Sequence, residues 1–145
     1  MSLFSALSVS ASGMSAQRAR AELLVENLAN AETTRTPEGG PYRRKDVVFA
    51  SQQVESPFSS VLASQLGDTS TGVTVAQVTV DKRDPERRYL PGHPDADSQG
   101  YVAFPRVSPA EDMVDLLGAS RNYEANVSAM SAVKDMIQRS IDLLR

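Results

Sequence analysis

The chain has 145 residues and a net charge of −3, is 41% apolar and 6% aromatic, and contains neither Cys nor Trp. No run of 18 apolar residues is present to span a membrane, and the lack of cysteine removes disulfides, thiolate chemistry and thiol-based metal sites. Charges are mixed along the whole length, with two positive and two negative in 1–30, nine and ten in 31–109, and four and six in 110–145, so the basic footprint of a nucleic-acid binder is missing.

Residues 2–30 read as one helix. Phe4, Leu7, Ala11, Met14, Arg18, Ala21, Val25 and Leu28 recur at spacings of three and four, a heptad seam with one charged interruption at Arg18. Ser- and Ala-rich flanks permit close approach of other helices, and Gly13 marks a bend or a tight contact. Asn27 and Asn30 suit a helix end, with Asn30 able to take a left-handed cap. The first basic residue is Arg18, and serines interrupt the apolar run ahead of it, which is unlike a secretory signal peptide.

The middle collects most of the prolines and glycines. Residues 42–54 hold a β-rich run, Val47-Val48-Phe49. Residues 72–81 alternate apolar residues with Thr, and the phase flips between Val75 and Val78, which predicts a bulge or a change of exposed face. Tyr101, Ala103 and Phe104 form a further short strand before Pro105. Residues 55–71 read as a Ser- and Gln-rich loop. Arg43-Arg44-Lys45 and Arg87-Arg88 are local basic clusters beside acidic residues, expected on a solvated face or a subunit contact.

The closing helix begins at Ser108-Pro109-Ala110-Glu111, where Ser at the N-cap, Pro at the first helical position and Glu at the third make a capping box. Met113, Leu116, Ser120, Tyr123, Val127, Met130, Lys134, Ile137, Ile141 and Leu144 carry the three-four spacing to the end, with breaks at Ser120 and Lys134. The predicted fold is therefore mainly α with a small β-rich insertion: a coiled-coil-like antiparallel pair of long terminal helices, with an irregular, hairpin-containing middle at one end. Its parts are 1–31, 32–107 and 108–145. The stripe left over after the helices pair is expected to meet other copies.

Catalytic and metal chemistry finds little support. His93 is the sole histidine, and zinc rarely accepts carboxylates alone as its other ligands. Asp95-Ala96-Asp97-Ser98-Gln99-Gly100 resembles half of an EF-hand loop, but Arg106 occupies the position of the bidentate Glu, so a turn built on Asx caps is expected. The acidic pairs Glu111/Asp112 and Asp95/Asp97 sit in no context that implies burial. No nucleophile elbow or phosphate-binding Gly loop occurs. The expectation is a non-enzyme with no cofactor, no metal and no small-molecule substrate.

Ala11-Ser12-Gly13-Met14-Ser15-Ala16-Gln17-Arg18, followed by Asn27-Leu28-Ala29-Asn30-Ala31 and Thr33-Thr34, resembles the N-terminal signature of the bacterial flagellar rod and hook proteins. Glu111-Asp112-Met113-Val114-Asp115-Leu116-Leu117 and Ala119-Ser120-Arg121-Asn122-Tyr123-Glu124-Ala125-Asn126 resemble their closing helix. Gly39-Gly40-Pro41-Tyr42-Arg43-Arg44 and Pro91-Gly92-His93-Pro94-Asp95-Ala96-Asp97, with Gly100-Tyr101-Val102, are similar to the short proximal-rod members of that family. Arg106 stands where the family usually has Asn, and Gly118 where a larger or hydroxylated residue is usual.

The resemblance implies a structural subunit of the proximal rod, in the periplasmic part of the flagellar basal body. It implies export through the flagellar type III apparatus without a cleaved signal, and a helical tube that transmits torque from motor to hook and lines the export channel. The implied partners are copies of the chain, other rod proteins, the export apparatus and motor ring components, without nucleic acid or membrane insertion. Another axial rod subunit and a soluble coiled-coil adaptor are the alternatives. The implied interface on the first helix is Phe4, Leu7, Ala11, Met14, Arg18, Val25, Asn27, Leu28 and Asn30. On the last helix it is Met113, Leu116, Leu117, Arg121, Tyr123, Asn126, Val127, Met130, Ile137, Ile141 and Leu144. Asn27, Asn30, Asn122 and Asn126 are expected as polar, register-setting contacts between packed helices.

Overall fold

A computed structural model describes residues 3–53 and 71–143. Two long helices, α1 (Leu3–Ala29) and α2 (Pro109–Asp142), flank β1 (Lys45–Gln53), β2 (Thr71–Val80), β3 (Glu86–Tyr89) and β4 (Tyr101–Phe104). The strands form two separate antiparallel hairpins, β1 with β2 and β3 with β4. The chain is thus mainly helical with a small β insertion, as expected. Nearly all of the loop expected over 55–71 lies outside the described residues; Thr71 is already in β2.

The helices run antiparallel. Arg20 of α1 pairs with Asp115 near the start of α2 at 3.3 Å, whereas Gly13, nearer the beginning of α1, abuts Asn126 farther along α2. The face that α2 turns inward is not the expected seam. Asp112, Ala119 and Val133 are buried, with half-buried Asn126 continuing their heptad spacing. On α1 the buried residues are Ala16, Leu24 and Asn27. Spacing by apolarity favours the largest greasy residues. Close helix pairing instead uses small ones, because interaxial distance follows side-chain size at the contact. A Cβ on Gly13 would come within 3.1 Å of the Asn126 amide, so the glycine marks a tight contact.

The helix ends also differ from expectation. Ser108 is the N-cap of α2 and Pro109 opens it, but the Ser108 side chain makes no capping bond. Glu111 is exposed. The capping box is therefore not formed; Asp112 N–H donates to the Ser108 carbonyl at 3.0 Å, and the first turn is fixed by the Asp112 side chain instead. At the end of α1, Asn30 does not enter the left-handed region. Its Nδ2 donates to the Glu26 carbonyl at 2.9 Å, and its Oδ1 accepts from the Thr33 hydroxyl at 3.1 Å.

The β1–β2 hairpin runs in register from Lys45↔Val80 to Gln53↔Thr71. Pairing passes from Val48↔Gln77 to Phe49↔Val75, which leaves Ala76 as the extra residue of a bulge. This is where the alternation of the sequence changes phase. The hairpin does not sit beyond one end of the helix pair, as a loop-like middle would. It lies along α1, tied at one end through Asn27 and Lys45 and at the other by Val73 N–H donating to Ser12 Oγ at 3.1 Å.

The smaller hairpin pairs Glu86↔Phe104 through Tyr89↔Tyr101. Its first strand, β3, contains the basic pair Arg87-Arg88 and is exposed throughout, so residue type alone gave no strand signal. Arg88 lies over the Phe104 ring at 4.9 Å, and Tyr89 meets Tyr101 edge to face at 5.3 Å. Gly100, at φ +82°, closes the turn against Tyr89 and Pro91. The buried apolar core is small: Ala16, Leu24, Tyr42, Val102, Ala119 and Val133.

Candidate assembly interface

Both terminal helices are tied to the short segment 42–45. Asn27 is fully buried at the end of α1. Its Oδ1 accepts from the Tyr42 hydroxyl and from Lys45 N–H, both at 2.9 Å, while its Nδ2 donates to the Lys45 carbonyl at 2.8 Å. An amide is suited to this place because it offers acceptor and donor together. Tyr42 is buried there, and burial, followed by the nearby Glu26 and Asp112 carboxylates, pushes its phenol up to about 12. Asn27 thus joins helix to strand; the expected helix-to-helix contact is not what it makes.

From the other helix, the Asp112 carboxylate has no solvent exposure and lies 2.9 Å from Arg44 Nη2. Arg44 Nε is 3.6 Å from Asp46. Burial pushes the Asp112 carboxyl above its ordinary value, with Arg44 opposing the shift. The expectation that Glu111 and Asp112 are both unburied therefore fails for Asp112. Of the basic run 43–45, Arg44 pairs with Asp112 and Lys45 with Glu26, while Arg43 donates to the Asp81 carbonyl, so all three cations serve contacts within the chain. Sequence reading missed Asp112 and Arg44 because partners 68 positions apart leave no local pattern.

The residues predicted as interface on each helix are only partly covered by the chain itself. On α1, Phe4 (74% exposed) and Val25 (51%) are uncovered, as are Ala11 and Arg18, while Leu7, Met14, Leu28 and Asn30 are half-buried. On α2, Met113, Leu117 (60% exposed), Arg121, Tyr123, Val127 and Ile141 are uncovered, and Leu116, Asn126, Met130 and Ile137 are half-buried. Leu144 lies outside the described residues. The two seams meet along one side of the pair: Arg18 and Ala21 share an open groove of about 630 Å³ with Leu116, Leu117, Ser120 and Tyr123. Arg18 is held at its rim by Glu22 at 2.8 Å. Gln17 also lines the groove, and its Oε1 is buried without a hydrogen-bond partner. Such a groove offers an apolar floor and a charged edge, the kind of surface against which another helix packs.

The remaining candidates resolve as turn chemistry. Asp97 Oδ1 accepts from Gln99 N–H at 2.8 Å and Tyr101 N–H at 2.9 Å, which holds its carboxyl below the usual range. This is the expected Asx cap. His93 Nδ1 accepts from Asp95 N–H at 3.1 Å, and its ring lies 6.3 Å from Phe104. Thr34 donates to Asp95 at 2.8 Å, fastening the post-helix turn to this segment. Among the described residues no cluster of His, Asp and Glu is arranged to hold a metal, and no helix is long and apolar enough to cross a membrane.

Residues 98–143 match the family model described as flagellar basal body rod FlgEFG protein C-terminal. Over nearly the full length the chain is similar to proteins named flagellar basal-body rod protein FlgC. It is 43% identical to that of Bacillus subtilis (strain 168), covering 99% of each chain. It is 39% identical to that of Borreliella burgdorferi, covering 100% of this chain and 99% of the relative. The relative from Salmonella typhimurium is 37% identical, with 99% and 98% covered.

Proposed function

The chain belongs to the FlgC family of flagellar basal-body rod proteins and is a structural subunit of that rod; from this premise we propose that its outward helical groove is the surface on which the rod is built. The observation that carries this reading is the open groove between the helices, floored by Ala21, Leu116, Leu117 and Tyr123, on a pair that also leaves Val25 exposed. An exposed apolar patch on a thin-cored chain has a physical use when a neighbour covers it. The chain assembles with other basal-body rod components, and the groove accepts a terminal helix of an adjacent subunit.

In this reading the parts 1–31 and 108–145 form the inner helical layer, facing the export channel, and 32–107 forms the outer layer. The subunit occupies the proximal, periplasmic rod, leaves the cytoplasm uncleaved through the flagellar export apparatus, and passes torque from the motor components towards the hook. It performs no catalysis. The fold supports a mechanical role, since hydrogen bonds and ion pairs fasten the hairpin along α1 and both helices to one segment.

Deletion of the gene in its host should leave cells without rod, hook and filament, and reintroduction of the chain should restore all three. Normal hooks in the deletion strain would refute the reading.

A further inference from the structure

Outside the groove, a second surface carries charge that the chain itself does not balance. Between the turn ahead of β1 and the segments around β3 and β4 lies a recess of about 20 Å³, lined by Arg43, Arg44, Asp81, Arg83, Pro85 and Arg106. Arg83 grips Asp81 through its Nε and Nη2, and its guanidinium holds that carboxyl down to about 2. Arg44 is taken by Asp112 and Asp46. Arg43 donates only to the Asp81 carbonyl, at 3.2 Å, and Arg106 makes no ion pair among the described residues. Both Arg43 and Arg106 are exposed. Two guanidinium groups therefore share one recess whose single carboxylate, Asp81, is already gripped by Arg83, although Arg106 lies near enough to act on it.

Like charges drawn to one spot repel, and the cost is relieved when an anion enters between them. A guanidinium fork matches the two oxygens of a carboxylate. The recess itself holds about one water-sized group, so an entering carboxylate would sit at its mouth between the exposed Arg43 and Arg106, and Pro85 stiffens its wall. We propose that this recess is a socket for an Asp or Glu side chain of an adjacent rod subunit, held by Arg43 and Arg106. The proposal rests on the rod reading above and adds a second, electrostatic contact on the middle segment. Arg43 and Arg106 are the specificity-determining pair, and Arg83 with Asp81 forms the fixed side of the socket.

The test uses the full chain expressed in the deletion strain. If the unaltered chain fails to restore rods, the rod reading itself fails. If it restores them, Arg43→Gln/Arg106→Gln should lower the number of completed rods roughly tenfold, as removal of a central charged contact does. Circular dichroism of the purified double variant should match that of the unaltered chain, because both side chains are exposed; loss of helix would overturn the proposal by making the pair structural. Arg106→Glu should stop swimming, and selection for regained swimming should return Asp or Glu changes to Lys or Arg in a rod subunit. Unaltered rod number in the double variant, or suppressors confined to Asp81 within the recess, would overturn it.

Discussion

Arg44 Nη2 lies 2.9 Å from the Asp112 carboxylate, joining the residue ahead of β1 to the first turn of α2 where the carboxylate is closed to water. Neither oxygen of Asp112 has a well-directed hydrogen bond, nor does Arg44 Nε. The pair is thus held by charge rather than by a complete hydrogen-bond network. Removing the cation alone strands a buried anion. Arg44→Met should destabilise the chain by about 3–5 kcal/mol. Asp112→Asn leaves a cation that is partly solvated and still near Asp46, and should cost clearly less. Urea unfolding midpoints of the two variants check the order; equal losses would refute it.

The same pair sets a pH response. Burial raises the Asp112 carboxyl above 3.8, so the folded chain binds that proton more readily than the unfolded chain. A raised value contributes stability that is full below the ordinary value and is lost as pH rises through the raised one. The stability of the unaltered chain relative to Asp112→Asn should therefore fall on going from acid to neutral pH. Tyr42 follows the same sign at the alkaline end. Its contribution is full below 10 and is lost as pH rises from there through about 12. Unfolding midpoints against pH, with Asp112→Asn and Tyr42→Phe as references, measure both arms.

Asn27 satisfies three polar groups at once, two of them on the backbone of Lys45. Asn27→Ala should cost about 2–4 kcal/mol, since buried donors and acceptors are left unpaired. Asn27→Asp keeps both acceptor bonds but sets a buried carboxylate oxygen against the Lys45 carbonyl, so it should cost at least as much as the Ala variant. Hydrogen exchange of the Lys45 amide, accelerated in the Ala variant above all, reads the local opening directly.

The outward stripe makes the opposite prediction. Leu117 is 60% exposed, so Leu117→Glu should change the unfolding midpoint of the isolated chain by no more than about 0.5 kcal/mol. It should nonetheless abolish rod formation, because a charge is placed on a surface that a neighbouring helix must desolvate. A strain carrying Leu117→Glu that swims as well as its parent would remove the groove from the interface.

Much of the architecture was legible from the chain. Three-four spacing located both helices, and the shift of alternation between Val75 and Val78 located the bulge at Ala76. What stayed hidden depends on distant partners. Asp112 sits in no sequence context that implies burial, and only the return of Arg44 beside it shows why it can be buried. Asn27 looked like a helix-ending residue because its three bonds go to residues 42 and 45, beyond the helix. Spacing also could not tell which of two adjacent stripes faces inward. It favoured bulk throughout, whereas the inward positions mix small and polar residues, Gly13, Ala16, Ala119 and Asn126, with Leu24 and Val133. Ser108 shows the converse: a local motif present in sequence is left unmade when a longer-range contact fixes the same turn.

The ties to segment 42–45 lie at one end of the helix pair, where α1 finishes and α2 begins. At the other end Phe4 and Ile141 stand largely uncovered. The polar pin thus sets the register of the pair at one end, while the far end presents its apolar residues uncovered and already aligned by the packing of Gly13 against Asn126 and by buried Val133.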